Sequence, residues 1–148
     1  YNITKDGKWD RLIGHEIYGK KIGIVGYGRI GHELAQRSKA LGLIVKAYDP
    51  YATNKLIIDS KVDFIKNINK LVKDIDILAL TLPLNKETEG MINEKVINSA
   101  LKKMVIVNTS RALVVNQKDL IQSLKTNKIG FEIHRSSYHK SGYLSLYL

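Results

Sequence analysis

The chain has 148 residues, of which 44% are hydrophobic and 26% are charged. This balance predicts one globular domain, and no apolar run reaches the roughly 18 residues of a membrane span, so we expect no membrane partner. The net charge of +10 comes mostly from lysines spread along the chain. Because Arg is scarce, a solvated lysine-rich surface is favoured over nucleic-acid binding. The lack of Cys excludes disulfides and thiolate metal sites and fits a reducing, cytoplasmic compartment.

Residues 1–8 contain neither a starting Met nor the apolar core of a signal peptide, so we expect an internal start. Beyond them, apolar runs of strand length alternate with segments of helical spacing, such as 30–41 before Gly42 and 96–101. The predicted strands are residues 22–25, 43–48, 62–65, 75–81, 104–107 and 129–133. The alternation predicts an α/β fold, a Rossmann-type doubly wound parallel sheet with helices on both faces. In such a sheet, ligands bind in loops at the carboxyl ends of the strands.

The first predicted strand runs directly into a glycine-rich turn with the spacing GxGxxG. Gly26 would permit the tight turn, Gly28 would let the backbone approach a pyrophosphate, and Gly31 would let the following helix pack on the strand. The amino end of that helix offers free N–H groups and a positive dipole end to phosphates. The turn therefore predicts a dinucleotide site.

Asp49 ends the second predicted strand. Its separation from the glycine turn along the sequence is about that at which an acidic side chain binds the adenosine ribose. The alternative is that Asp49 only forms a turn before Pro50. Because strand, turn, helix, strand and acid occur in this order, dinucleotide binding is favoured. A carboxylate there would repel the 2′-phosphate of NADP(H), so we expect NAD(H) to be preferred.

Further segments, in the same order, resemble the D-isomer-specific 2-hydroxyacid dehydrogenase family. The matching part is the stretch from Gly14 to Pro50, with residues 9–11 as a lead-in and 48–51 at its end, followed by the segments 82–88, 107–111 and 120–125. Together they cover about residues 9–130. The resemblance implies an interdomain lead-in segment over residues 1–18, a NAD-binding Rossmann domain over 19–130 and a divergent tail over 131–148. It also implies an oxidoreductase that transfers hydride between NAD(H) and a D-2-hydroxy acid or 2-keto acid, and a homodimer.

The resemblance assigns roles to particular residues. It implies that the backbone of Arg29 and Ile30 holds the pyrophosphate and that Asp49 holds the ribose. The remaining contacts that it implies are the adenine side of the pocket at Leu82 and Pro83, and the nicotinamide end at Thr109 and Ser110.

Arg111 would be the catalytic arginine, by the same resemblance. Its planar fork can bind a carboxylate while its charge polarises the carbonyl that receives hydride. An isolated arginine at a strand end would more simply be a surface residue, but the sequence Asn-Thr-Ser-Arg favours the catalytic role. Ala112 stands where the family usually has glycine. This leaves open whether a ligand can approach the backbone at Ala112 as closely as it would at a glycine.

The family's general acid/base pair is not found in the chain. Arg135 and Lys140 stand where the family has Asp and Glu, the family's histidine would fall beyond residue 148, and neither His134 nor His139 lies in its motif. Two hypotheses follow, part of a dehydrogenase or a non-catalytic NAD-binding sensor or scaffold. The match also stops abruptly after Gly130, which suggests a frameshift or truncation and a tail that packs poorly and leaves the last sheet edge partly uncovered.

Overall fold

The computed structural model describes residues 14, 16–135 and 144–147. The strands in this part of the chain are β1 (Lys21–Val25), β2 (Ile44–Tyr48), β3 (Asp63–Phe64), β4 (Ile77–Leu80), β5 (Met104–Asn108), β6 (Ile129–Arg135) and β7 (Leu144–Tyr147). The α-helices are α1 (Arg29–Ala40), α2 (Asn54–Ser60), α3 (Ile68–Leu71), α4 (Glu94–Asn98) and α5 (Gln117–Lys125). Short 3-10 turns cover Val72–Asp74 and Ala112–Val114. None of these helices is long and apolar enough to cross a membrane.

The strands form one sheet in the order β3-β2-β1-β4-β5-β6-β7. Strands β1 to β6 pair in parallel, and only the edge strand β7 pairs antiparallel, with β6. All six predicted strands are present, with β3 shorter than the apolar run that predicted it. The predicted α/β class with a Rossmann-type sheet is confirmed. From β1, the strands that follow along the chain are first added on one side, as β2 and β3, and then on the other side, starting with β4. Such a switch point, here between β1 and β4, opens a crevice at the carboxyl ends of these two strands.

Helices cover both faces of the sheet, and each face has its own apolar core. In β1, Ile22 and Ile24 belong to one core while Val25 belongs to the other, as expected because successive side chains of a strand point to opposite faces. Helix α1 covers the first core with Ala35, and α5 covers the second with Leu120. Strands buried on both sides explain why the predicted runs are apolar throughout.

The tail contributes a strand that the sequence did not predict. Residues 144–147 form β7, whose Leu144 pairs with Arg135 and whose Tyr147 pairs with Glu132. This edge of β6 is therefore covered from Glu132 to Arg135. The expectation of poor packing over residues 136–143 lies outside the described residues.

Asp76, the one charged residue in the apolar run 75–80, joins strands at the amino end of the sheet. Its Oδ2 accepts a hydrogen bond from the backbone N–H of Lys21 at 2.8 Å, and its Oδ1 lies 2.9 Å from Nζ of Lys102. Lys102 also approaches Asp74, which pairs with Lys21. Partial burial by itself raises the pKa of the Asp76 carboxyl, but the Lys21 N–H and the Lys102 ammonium outweigh it and lower the pKa overall.

We expect Asp76→Ala to destabilise the fold by about 1–2 kcal/mol at neutral pH, because the Lys21 N–H and the Lys102 ammonium lose their acceptor. Since the folded pKa lies below the unfolded value, this stabilisation is present above the unfolded pKa and is lost as pH falls through the folded pKa. Urea unfolding at neutral and at strongly acidic pH measures both effects. Asp63→Ala, at an exposed carboxylate that starts β3, is the control. A loss at Asp76 that is equal at both pH values would contradict the charge-based explanation.

Candidate functional site

The residues singled out from the sequence follow the carboxyl ends of four neighbouring parallel strands. The glycine turn follows β1, Asp49 follows β2, Leu82 and Pro83 follow β4, and residues 109–111 follow β5. Because β2, β1, β4 and β5 are adjacent in the sheet, these segments share one edge. That edge includes the switch point between β1 and β4.

The glycine turn is shaped by two positions that have no room for a side chain. Gly26 has φ +89°, and a Cβ there would lie 2.8 Å from Cβ of Leu82. At Gly31 a Cβ would lie 2.2 Å from the carbonyl oxygen of Gly26. Thr81 fixes the same carbonyl by donating a hydrogen bond from its hydroxyl at 2.7 Å. The helix therefore begins in direct contact with the end of β1.

Gly28 differs from its two neighbours in the turn because open space lies above it. A Cβ at Gly28 would meet no atom within 4 Å, and Gly28 is the N-cap of α1 without a side-chain cap. Arg29 and Ile30 follow as exposed residues of the first helical turn. The first N–H groups of a helix have no partner within the helix, so an uncapped end beside open space suits an anion.

Asp49 holds the glycine turn and the next loop together. Its Oδ2 accepts a hydrogen bond from the backbone N–H of Tyr27 at 2.7 Å, and its Oδ1 accepts one from the backbone N–H of Tyr51 at 2.8 Å. The second bond is the local turn that the alternative interpretation of Asp49 predicted. A carboxylate has about four acceptor positions, so both oxygens can still accept hydrogen bonds from a ligand.

A cavity of about 190 Å³ lies between the loops after β1, β2 and β4. Five of the predicted residues line it: Gly26, Gly28, Asp49, Leu82 and Pro83. The sequence did not single out several other lining residues, namely Tyr48, Pro50, Tyr51, Thr81, Asn85, Glu87, Thr88 and Met91. Most of them lie inside the matching segments 48–51 and 82–88, so position within those segments was the signal that could have found them.

The loop after β5 lies outside that cavity and is fixed by a buried amide. Asn108 is 1% exposed, and its Oδ1 accepts hydrogen bonds from the backbone N–H of Ser110 at 3.0 Å and from the Ser110 hydroxyl at 2.8 Å. Its Nδ2 donates to the carbonyl of Arg111 at 3.1 Å. Thr109 donates from its hydroxyl to the carbonyl of Leu80 at 3.0 Å. The sequence analysis did not predict this role for Asn108.

Arg111 is exposed at this edge, and its guanidinium donates to the carbonyl of Ser110 at 3.1 Å. Ala112 begins the 3-10 turn, and the described non-glycine residues with positive φ are Lys61 and Asn127. An alanine in place of the family's glycine therefore causes no backbone strain here. Thr109, Ser110 and Arg111 form one loop at the same edge of the sheet, without lining the cavity.

Together these features match the chemistry of a dinucleotide. The uncapped end of α1 offers N–H donors to a pyrophosphate, Asp49 offers acceptors to ribose hydroxyls, and Leu82 with Pro83 offers an apolar wall to a base. The residues present thus fit a dinucleotide such as NAD.

Comparison with known proteins shows the family to which the chain belongs. The family model "D-isomer specific 2-hydroxyacid dehydrogenase, NAD binding domain" matches residues 1–133. A D-3-phosphoglycerate dehydrogenase of Methanocaldococcus jannaschii is 37% identical over 127 residues, which are 84% of this chain and 24% of that protein. A glyoxylate reductase of Thermococcus gammatolerans is 35% identical over 133 residues, 84% of this chain and 40% of that protein.

The chain also superposes on solved structures. The apo-structure of D-lactate dehydrogenase from Escherichia coli superposes with a TM-score of 0.82 at 29% identity, covering 91% of this chain and 43% of that one. A glycerate dehydrogenase related protein from Thermoplasma acidophilum superposes with a TM-score of 0.78 at 30% identity, covering 95% and 48%. This chain thus spans between 24% and 40% of the length of the two curated relatives. The chain belongs to the D-isomer-specific 2-hydroxyacid dehydrogenase family, whose NAD-binding domain it represents.

Proposed function

We propose that this chain is the coenzyme-binding part of an oxidoreductase that transfers hydride between NAD(H) and a D-2-hydroxy acid or its 2-keto acid. The observation that carries the proposal is the open space above Gly28, at the uncapped end of α1 and beside Asp49. The residues assigned to the coenzyme are Gly26, Gly28, Arg29, Ile30, Gly31, Asp49, Leu82, Pro83, Thr109 and Ser110. When bound, the nicotinamide would supply or accept the hydride.

Arg111 is the residue of this chain that we assign to the substrate. Relatives of the chain are named for phosphoglycerate, glyoxylate and lactate, and each of these compounds has a carboxylate next to a hydroxyl or carbonyl carbon. A guanidinium can bind such a carboxylate through two hydrogen bonds and polarise the neighbouring carbonyl. The rigid loop set by Asn108 would hold the Arg111 backbone in position for this contact. A homodimer and a cytoplasmic location stay predictions from the sequence.

Titration with NADH and NADPH tests the coenzyme assignment. We expect NADH to bind and NADPH to bind at least tenfold more weakly, since Asp49 would face the 2′-phosphate as a like charge. Calorimetry or the fluorescence of the reduced nicotinamide gives both dissociation constants. A protein that binds neither nucleotide, or NADPH as tightly as NADH, would contradict the assignment.

The alternative, a NAD-binding sensor or scaffold without turnover, is favoured by one observation. Arg135 and Lys140 stand where the family has Asp and Glu, so the usual assistance to the catalytic histidine is missing at these positions. We expect this chain alone to bind NADH but not to oxidise it with glyoxylate, hydroxypyruvate or pyruvate. Loss of NADH absorbance that Arg111→Ala abolishes would show that the residues present suffice for catalysis.

A further inference from the structure

A hydrogen bond joins the two loops that flank the cavity. Tyr51, in the loop after β2, donates from its hydroxyl to Oε2 of Glu87, in the loop after β4. Both residues line the cavity together with Asp49. Asp49 in turn accepts from the backbone N–H of Tyr51 at 2.8 Å. One tyrosine thus contacts two carboxylates, Asp49 through its backbone and Glu87 through its side chain.

The loop that carries Glu87 is held in place by its own side chains. Oδ1 of Asn85 accepts from the backbone N–H groups of Glu87 at 2.9 Å and of Thr88 at 3.0 Å. The hydroxyl of the buried Thr88 donates to the carbonyl of Pro83 at 2.7 Å. The Glu87 carboxylate therefore extends towards Tyr51 from an ordered loop.

The carboxylates of Asp49 and Glu87 both place negative charge beside the cavity. The hydrogen bond and negative charge of Glu87 raise the pKa of the Tyr51 hydroxyl, and the charge of Asp49 adds to this. Among the ion pairs formed by the described residues, none involves Asp49 or Glu87. Two carboxylates that pair with no cation among the described residues therefore make this part of the cavity rim negative.

We propose that Glu87 is a second determinant of coenzyme choice, acting with Asp49 to exclude the 2′-phosphate of NADP(H). This inference rests on the proposed function, because it places the adenosine ribose in this cavity. The ribose of NAD(H) has an uncharged hydroxyl where NADP(H) has a phosphate, so only NADP(H) meets repulsion from both carboxylates. Replacing Asp49 alone would leave part of the discrimination in place.

Glu87→Gln tests the inference, since glutamine keeps an acceptor for the Tyr51 hydroxyl and removes only the charge. We expect NADPH to bind about five- to tenfold more tightly and NADH to change by less than about twofold, as for the loss of one nearby like charge. Glu89→Gln is the matched control, because Glu89 is an exposed carboxylate of the same loop that does not line the cavity. Raising the salt concentration should narrow the difference between NADH and NADPH in the wild type more than in Glu87→Gln.

Each outcome has a distinct meaning. If the wild type binds neither nucleotide, both the proposed function and this inference fail. If it binds NADH and Glu87→Gln leaves the ratio of the two dissociation constants unchanged, or weakens both nucleotides equally, only the inference about Glu87 fails. Tyr51→Phe keeps both charges and should keep the ratio. A ratio shifted by Tyr51→Phe as much as by Glu87→Gln would show that the ratio changes without loss of either charge, which overturns the charge mechanism.

Discussion

Gly31→Ala is expected to destabilise the protein by about 2 kcal/mol, the upper end of the usual overpacking cost less the gain in helix propensity, and to abolish NADH binding. A Cβ at this position would lie 2.2 Å from the carbonyl oxygen of Gly26 and 3.1 Å from Oγ1 of Thr81. Because the closest atom belongs to the backbone, the start of α1 must move away from β1, and such overpacking costs about 1–3 kcal/mol or more. The gain in helix propensity, about 1 kcal/mol, offsets only part of it. Urea unfolding and NADH titration of the purified variant measure the two effects.

Gly28→Ala is the matched comparison, because it adds the same methyl group where no atom lies within 4 Å and φ is −70°. We expect its stability to fall by about 1 kcal/mol or less, the difference between glycine and alanine at an N-cap. Its NADH affinity should nevertheless fall at least tenfold, since the methyl group would occupy the space assigned to the pyrophosphate. If Gly31→Ala folds as stably as the wild type, the close packing described here is wrong. If Gly28→Ala binds NADH normally, the pyrophosphate does not lie against Gly28.

The fold and the coenzyme edge could be predicted from the sequence because both depend on local patterns. Runs such as 22–25 and 104–107 are apolar on both faces, which is typical of strands covered by helices on each side. The spacing of Gly26, Gly28 and Gly31 reports backbone constraints that the structure displays as a positive φ, an open space and a close contact. Once the strands pair in parallel, their carboxyl ends lie at one edge of the sheet, so no further sequence signal is needed to predict that edge.

Contacts between distant segments could not be predicted in this way. The Tyr51–Glu87 hydrogen bond depends on how the loops after two different strands pack together. The local sequence around either residue does not predict the other as its partner. The contacts of Asp76 could not be predicted either, because its partners, Lys21 and Lys102, come from other segments. Strand β7, with the sequence Leu-Ser-Leu-Tyr, is only four residues long, and its antiparallel pairing with β6 depends on the position of that strand, which its own sequence does not give.

Asp49→Ala is expected to have the second large effect, because the carboxylate has two roles that can be separated. Two backbone N–H groups, of Tyr27 and Tyr51, lose their acceptor. We expect a loss of about 1–2 kcal/mol in the free energy of unfolding, most of it at Tyr27, because water can replace the acceptor of the exposed Tyr51 N–H. NADH should bind at least tenfold more weakly, since the turn is less well held and the ribose loses its acceptor. The affinity for NADPH should fall less, because the substitution also removes a charge that repels the 2′-phosphate. The ratio of the two dissociation constants should therefore move towards one.

The ratio of the NADH and NADPH dissociation constants distinguishes the two roles of Asp49, which are to anchor the glycine turn and to select the coenzyme. If Asp49 only anchored the glycine turn, its removal would weaken NADH and NADPH by the same factor and leave the ratio at the wild-type value. Asp49→Asn sharpens the comparison, since it keeps one side-chain oxygen for a backbone N–H while removing the charge. Asp63→Asn removes a nearby exposed carboxylate at the start of β3 and should leave stability and both affinities unchanged. An unchanged ratio in both Asp49 variants would assign the residue to the turn alone and leave coenzyme choice to other groups of the cavity rim.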